Sequence, residues 1–177
     1  MNEYELISPR LEDKEELLKM IEEIKIVDEG KRWQYAGTSS LEKLKYEEWL
    51  EKVTKESIGK ELAPNRVSAS TFILLRNSDN KVVGIINIRH ELNDYLLNFG
   101  GHIGYSIRPS ERRKGLGTLQ LEKALKIAKE LNISRVLLTC DSENIGSAKT
   151  IEKCQGKLEN SITTPDGYIL KRYWINI

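Results

Sequence analysis

The sequence predicts an α/β chain of the α+β type, a mixed, largely antiparallel central sheet flanked by helices, with elements in the order βααβββαβαββ. Three observations predict it. Residues 70–108 carry β-rich runs with a hairpin break, residues 13–28 and 121–131 repeat apolar side chains at helical spacing, and a basic glycine loop joins a strand to a helix. With 177 residues and 39% hydrophobic content, the chain is long enough to bury a core and is expected to form a single domain over 1–177.

Tyr4 to Ile7 reads as a short first strand. Leu17, Met20, Ile21, Ile24 and Val27 then recur three and four apart, which predicts an amphipathic helix over about Asp13 to Asp28. After a loop at Gly30 to Gly37, the hydroxyls of Thr38, Ser39 and Ser40 offer N-caps for a second helix carrying Leu41, Leu44, Trp49, Leu50 and Val53. Thr71 to Arg76 and Lys81 to Arg89 form a hairpin around Asn77 to Asn80. Gly100 to Arg108 alternates Ile103, Tyr105 and Ile107 with His102, Gly104 and Ser106, the period of a strand with unlike faces, and Pro109 ends it. Leu121, Ala124, Leu125, Ala128 and Leu131 mark a helix from near Gly115 to before Asn132. Arg135 to Cys140 is a short buried strand, Asn144 to Lys153 a helix, and Gly156 to Ile162 with Tyr168 to Ile177 a closing hairpin around Pro165, Asp166 and Gly167.

Lys plus Arg number 28 against 27 Asp plus Glu, so the chain has no overall field of the kind that binds nucleic acid or an anionic membrane surface. The apolar runs fall well short of the ~20 residues of a membrane-spanning helix. The acidic, polar start lacks the basic and apolar regions of a secretory signal, so a cytoplasmic location is expected. Cys140 and Cys154 belong to no CxxC or Cys/His cluster, which argues for reduced thiols and against a structural metal site.

The chemistry-bearing stretch is Arg112, Arg113, Lys114, Gly115, Leu116, Gly117, Thr118, between a strand and a helix. A helix N-terminus leaves backbone N–H groups unpaired and carries partial positive charge, which suits phosphate oxygens. Glycines at 115 and 117 let the main chain approach such a group closely. A Walker A loop would need Gly-Lys followed by Ser or Thr, but Gly117 is followed by Thr118 and Leu119; a dinucleotide fingerprint would need a third glycine where Gln120 stands.

Arg112-x-x-Gly115-x-Gly117 resembles the (Gln/Arg)-x-x-Gly-x-(Gly/Ala) signature of GNAT acetyltransferases, and Asn144, Ser147, Ala148 and Glu152-Lys153 resemble that family's second conserved block. The resemblance spans about residues 70–177. It implies a GNAT-like fold and acetyl-CoA as co-substrate without a metal. The diphosphate would lie on Arg112, Arg113, Lys114, Gly115, Leu116, Gly117 and Thr118, the pantetheine beside Ile107, with Asn144 and Lys149 as further cofactor contacts. It also implies transfer to a primary amine, whether small amine, antibiotic, polyamine or protein amino group, and is compatible with a homodimer. Arg89 to Asn93 and Gly100 to Tyr105 resemble a subgroup of predicted acetyltransferases.

A free amine with a pKa near ~10 must lose a proton before it attacks, and the leaving thiolate must gain one. The resemblance points to a base on or near the central strand, and His102 is the candidate; the alternative is a histidine bonded to backbone. HExxH zinc chemistry is excluded at His90 and Glu91 because Asp94 stands where the second histidine would be. Many members of the family carry a tyrosine acid seven residues after the asparagine, where this chain has Ile151. Tyr105 is the first choice for that acid, with Tyr173 or solvent as alternatives. The departure leaves open a second function, an acyl-CoA-binding sensor without turnover.

Overall fold

The structure, a computed structural model, describes residues 3–177. Its element order is β1 (Tyr4–Ile7), α1 (Lys14–Val27), α2 (Tyr46–Ser57), β2 (Ala69–Arg76), β3 (Lys81–Arg89), β4 (Ile103–Ile107), α3 (Leu116–Glu130), β5 (Arg135–Asp141), α4 (Ile145–Lys153), β6 (Lys157–Thr163) and β7 (Ile169–Asn176). This is the predicted succession. Every hydrogen-bonded strand pair is antiparallel, and the strands fall into two sheets, β1-β2-β3-β4 and β5-β7-β6.

The near-continuous apolar run of β3 follows from burial on both faces. Ile85 points to a core formed with Leu17, Met20 and Ile24 of α1 and Trp49 and Val53 of α2. Ile86 and Ile88 point to the opposite core, with Leu121, Ala124 and Ala128 of α3, Ile151 of α4 and Tyr173 of β7. Gly84 permits the close approach of α3, since a Cβ there would meet Gln120 Oε1 at 2.1 Å.

The two sheets share a core and are joined by main-chain hydrogen bonding where β4 begins. His102 N donates to Leu137 O at 2.7 Å, and Leu137 N donates to His102 Nδ1 at 2.9 Å. Beyond that junction β4 and β5 pair with other strands and not with each other, which opens a cleft between Ile103–Ile107 and the end of β5.

Two details differ from the sequence reading. Thr38, Ser39 and Ser40 do not cap the second helix, which starts at Tyr46 after a 3-10 turn at Leu41–Lys43. Ser39 and Ser40 have φ of 54° and 69°, and the Thr38 hydroxyl donates to Tyr35 O and Glu42. The first three residues assigned to the β4 run, Gly100 to His102, lie outside the strand: Leu96–Gly100 forms a π-helical turn, Gly101 takes φ 66°, and the strand begins at Ile103. Gly101 is where Cβ is forbidden, because it would lie 2.6 Å from Leu137 O. No helix among the described residues is long and apolar enough to cross a membrane.

Candidate active site

A cavity of about 870 Å³ occupies the cleft, within the usual range for small-ligand sites. At one end lies the loop into α3. Arg113 (φ 66°) and Gly115 (φ 79°) take left-handed conformations on either side of Lys114, the kind of alternation from which anion-binding main-chain concavities are made. The first backbone bond of the helix runs from Leu119 N to Gly115 O at 3.1 Å, and the amides of residues 113–118 make no hydrogen bond among the described residues. A Cβ on Gly115 would meet nothing within 4 Å, so open space faces this main chain. Ile107, Arg112, Arg113, Gly115, Leu116, Gly117 and Thr118 all line the cavity.

The three basic side chains of the loop have different uses. Arg112 Nε donates to Ile107 O at 3.0 Å, and its two terminal nitrogens clamp the buried Asp28 carboxylate at the C-terminus of α1. Burial would raise the Asp28 pKa, but the bonds from Arg112 and Lys31 outweigh it and hold the group below its ordinary value. Arg112 therefore fixes the loop to α1. Lys114 lies outside the cavity lining and donates to Glu111 at 2.8 Å. Buried Glu111 also receives Lys81 and Arg76, and the Lys114 and Lys81 bonds hold its pKa down at about 2. Arg113 makes no ion pair among the described residues, so its charge is available to the cavity.

Midway along the cleft, the Tyr105 hydroxyl lies 3.0 Å from Ser147 Oγ on α4, and burial pushes its pKa up to about 12. Asn144 caps α4 by accepting from Ser147 N at 3.1 Å, and Asn144, Ser147, Lys149 and Thr150 line the same wall. Ile151 faces the opposite way and is fully buried in the core. Tyr173 is also buried, donates to Glu152 at 3.1 Å, and does not line the cavity.

His102 is outside the cavity lining. It is buried, its Nδ1 accepts the Leu137 amide, and burial, with a contribution from the Arg89 cation, lowers its pKa to about 4. It joins the two sheets and stays neutral at neutral pH. His90 is similarly engaged, 2.8 Å from Ser70 Oγ, with a pKa lowered by burial.

The rest of the cavity is formed largely by groups outside the loop into α3. Ser106 Oγ donates to Ala36 O at 2.7 Å, and a Cβ on Gly37 would come within 2.5 Å of Gly104 O, so the loop after α1 lies directly on β4. From that loop Arg32 reaches the end of β5, with Nη2 donating to Asp141 at 3.0 Å and to Glu143 at 3.1 Å and its guanidinium 4.9 Å from the Tyr168 ring centre. The Arg32 bond holds the buried Asp141 carboxylate below its ordinary pKa. Trp33, Arg89, Phe99 and Leu170 also line the cavity. Among the described residues, no three His, Cys, Asp or Glu side chains are grouped to hold a metal ion.

Comparison with known proteins bears on this geometry. A family model described as an acetyltransferase (GNAT) domain matches residues 5–157. The fold is similar to that of a ribosomal L7/L12 alpha-N-protein acetyltransferase solved with coenzyme A, at TM-score 0.72 and 16% identity, covering 100% of this chain and 96% of that one. It is similar to a microcin C7 self-immunity acetyltransferase solved with acetyl-CoA and AMP, at TM-score 0.71 and 17% identity, covering 100% and 94%. A GNAT-family acetyltransferase from Streptococcus pneumoniae aligns at TM-score 0.68 and 19% identity, covering 99% and 100%. No curated protein sequence matches the chain.

Proposed function

Because the chain belongs to the GNAT acetyltransferase family, we propose that it moves an acetyl group from acetyl-CoA to a primary amine held in the cleft between β4 and β5. The observation that carries this reading is the run of amides at residues 113–118, unbonded among the described residues, at a helix N-terminus with open space at Gly115. An uncharged ligand would leave those donors with little to do, whereas a diphosphate offers an acceptor to each. Arg113, Lys149 and Lys153 add positive charge to the cavity lining. Ile107 and Asn144 flank the route from the helix N-terminus to Tyr105.

Acetyl-CoA supplies an activated acyl thioester whose leaving group is a thiolate. The chain's own contribution is positioning along β4, which removes much of the entropic barrier to a bimolecular reaction. Tyr105 Oη, with a pKa near 12, keeps its proton throughout the neutral range. Since an ordinary thiol titrates near ~8.5, full proton transfer from this tyrosine is uphill, and its role is to offer a hydrogen bond where negative charge develops. His102 has no part in this scheme, because its ring is held between the sheets. The carboxylates lining the cavity, Asp28, Asp141 and Glu143, are all ion-paired, so the amine proton leaves through water.

The test is thiol release over a panel of amines, with wild type beside Tyr105→Phe. The expected result is amine-dependent release by wild type and a kcat about 10-fold lower in the variant, at unchanged KM for acetyl-CoA. Tight acetyl-CoA binding with no release in the presence of any amine would favour a sensor over an enzyme acting on amines.

A further inference from the structure

The charges lining the cavity do not cancel evenly. Arg112 and Lys31 share Asp28, and Arg32 is held by Asp141 and Glu143. Arg113, Lys149 and Lys153 also line the cavity, and none of them makes an ion pair among the described residues. One more cation lines it, Arg89, without a carboxylate partner among the described residues. It is the last residue of β3, and its main-chain N–H donates to His102 O, so it stands beside the start of β4. Its Nη1 donates to the carbonyls of Gly100 and Gly101 at 3.0 and 3.1 Å. Nε and Nη2 have no acceptor among the described residues. Nη2 lies over Gly104, where a Cβ would sit 3.6 Å from it. Arg66, from the loop after α2, is near enough to add charge of the same sign, and the Arg89 pKa is lowered by burial and then by Arg66.

A half-buried guanidinium that lines the cavity with open donors and no carboxylate partner among the described residues is well placed to take an anionic ligand, since two neutral carbonyls do not replace a charge-assisted bond. Its place is informative too. Gly104 and Tyr105 face opposite sides of β4, but both residues and Arg89 line one cavity along the edge of that strand, so an anion on Arg89 and an amine reacting beside Tyr105 would share that cavity. On the acetyl-transfer reading given above, we propose that the acceptor is a small primary amine that also carries a carboxylate, an amino-acid-like molecule, with Arg89 binding the carboxylate and Trp33 and Phe99 lining the space for its body. Polyamines and aminoglycoside-type amines bring more positive charge to a site that already holds unpaired cations, and are disfavoured for that reason.

The experiment measures wild-type kcat/KM for the protein amino acids against the corresponding decarboxylated amines and spermidine, alongside Arg89→Gln and Arg89→Lys. Calorimetric titration with acetyl-CoA is run on each protein as the check on folding and on the cofactor site. A charge-assisted hydrogen bond to a carboxylate predicts a preference of roughly 10- to 100-fold for at least one amino acid over its decarboxylated partner. Arg89→Gln should collapse that ratio toward one, chiefly through KM, while acetyl-CoA still binds, and Arg89→Lys should restore part of it. The proposal is overturned if decarboxylated amines or spermidine match or exceed every amino acid, if Arg89→Gln leaves the ratio intact, or if no amino acid is acetylated by a protein that binds acetyl-CoA. Failure of wild type to bind acetyl-CoA would be a different result, ending the acetyl-transfer reading and this proposal with it.

Discussion

Near the start of α3 the cavity is lined by consecutive residues whose main-chain amides are unbonded among the described residues, whereas elsewhere it is lined by side chains from segments as much as 111 residues apart, as with Arg32 and Glu143. The first kind of site depends on a local conformation that glycines and a helix start can set by themselves. The second exists only after α1, β3, β4 and β5 have packed. A backbone site recognises a feature common to many cofactors and tolerates drift in side chains; a side-chain site is where one acceptor is told from another.

This difference can be broken at its strongest point by Gly117→Glu. A Cβ at 117 would lie 3.2 Å from Thr150 Oγ1, and the carboxylate would stand among the unbonded amides. Acetyl-CoA affinity measured by calorimetry should fall about 100-fold or more, from lost hydrogen bonds and added repulsion. An unchanged affinity would show that the amide run is not the anion site.

Asp28→Ala sharpens the comparison, since it alters the loop without touching an amide. It strips Arg112 and Lys31 of a buried partner, and an expected loss of about 2–3 kcal/mol in unfolding free energy should be read by denaturant titration, discounted for the partial exposure of both cations. Acetyl-CoA should bind about 10-fold more weakly because the loop loses its tie to α1. A stability loss without a binding loss would mean that the amides hold their conformation unaided.

The smallest expected effect concerns Glu111, on which Arg76, Lys81 and Lys114 converge. Its folded pKa, about 2, is below the ordinary 4.5, so its contribution is fully present above about pH 4.5 and is lost as pH falls toward 2. The melting temperature of Glu111→Gln should therefore lie below that of wild type at neutral pH, and the gap should narrow between pH 4.5 and 2. A gap that is constant over that range would assign the effect to packing instead of charge.

The same contrast explains what could be read from the sequence. The element order and the Arg112–Thr118 loop were legible because helical and strand periodicities, and a glycine-rich helix start, are properties of neighbouring residues. The function of the Arg112 side chain was not, because its partner Asp28 is 84 positions away and nothing local pairs them. Lys114 and Arg113 look alike in sequence, yet one is spent on Glu111 and the other faces the cavity. His102 was correctly read as having two possible fates, but choosing between them required Leu137, whose amide occupies Nδ1. The start of α2 was misplaced because Ser39 and Ser40 adopt left-handed conformations, and Arg32 and Asp141 gave no signal because each is an ordinary charged residue until the chain brings them together.

The most direct test of the account follows the main-chain amides themselves. In ¹H–¹⁵N spectra of labelled protein titrated with acetyl-CoA, the resonances of residues 113–118 should move together and downfield, at the same ligand concentration that perturbs Tyr105 and Asn144, as expected when unbonded donors acquire phosphate acceptors. Saturable binding that leaves residues 113–118 unmoved while shifting another part of the chain would contradict it.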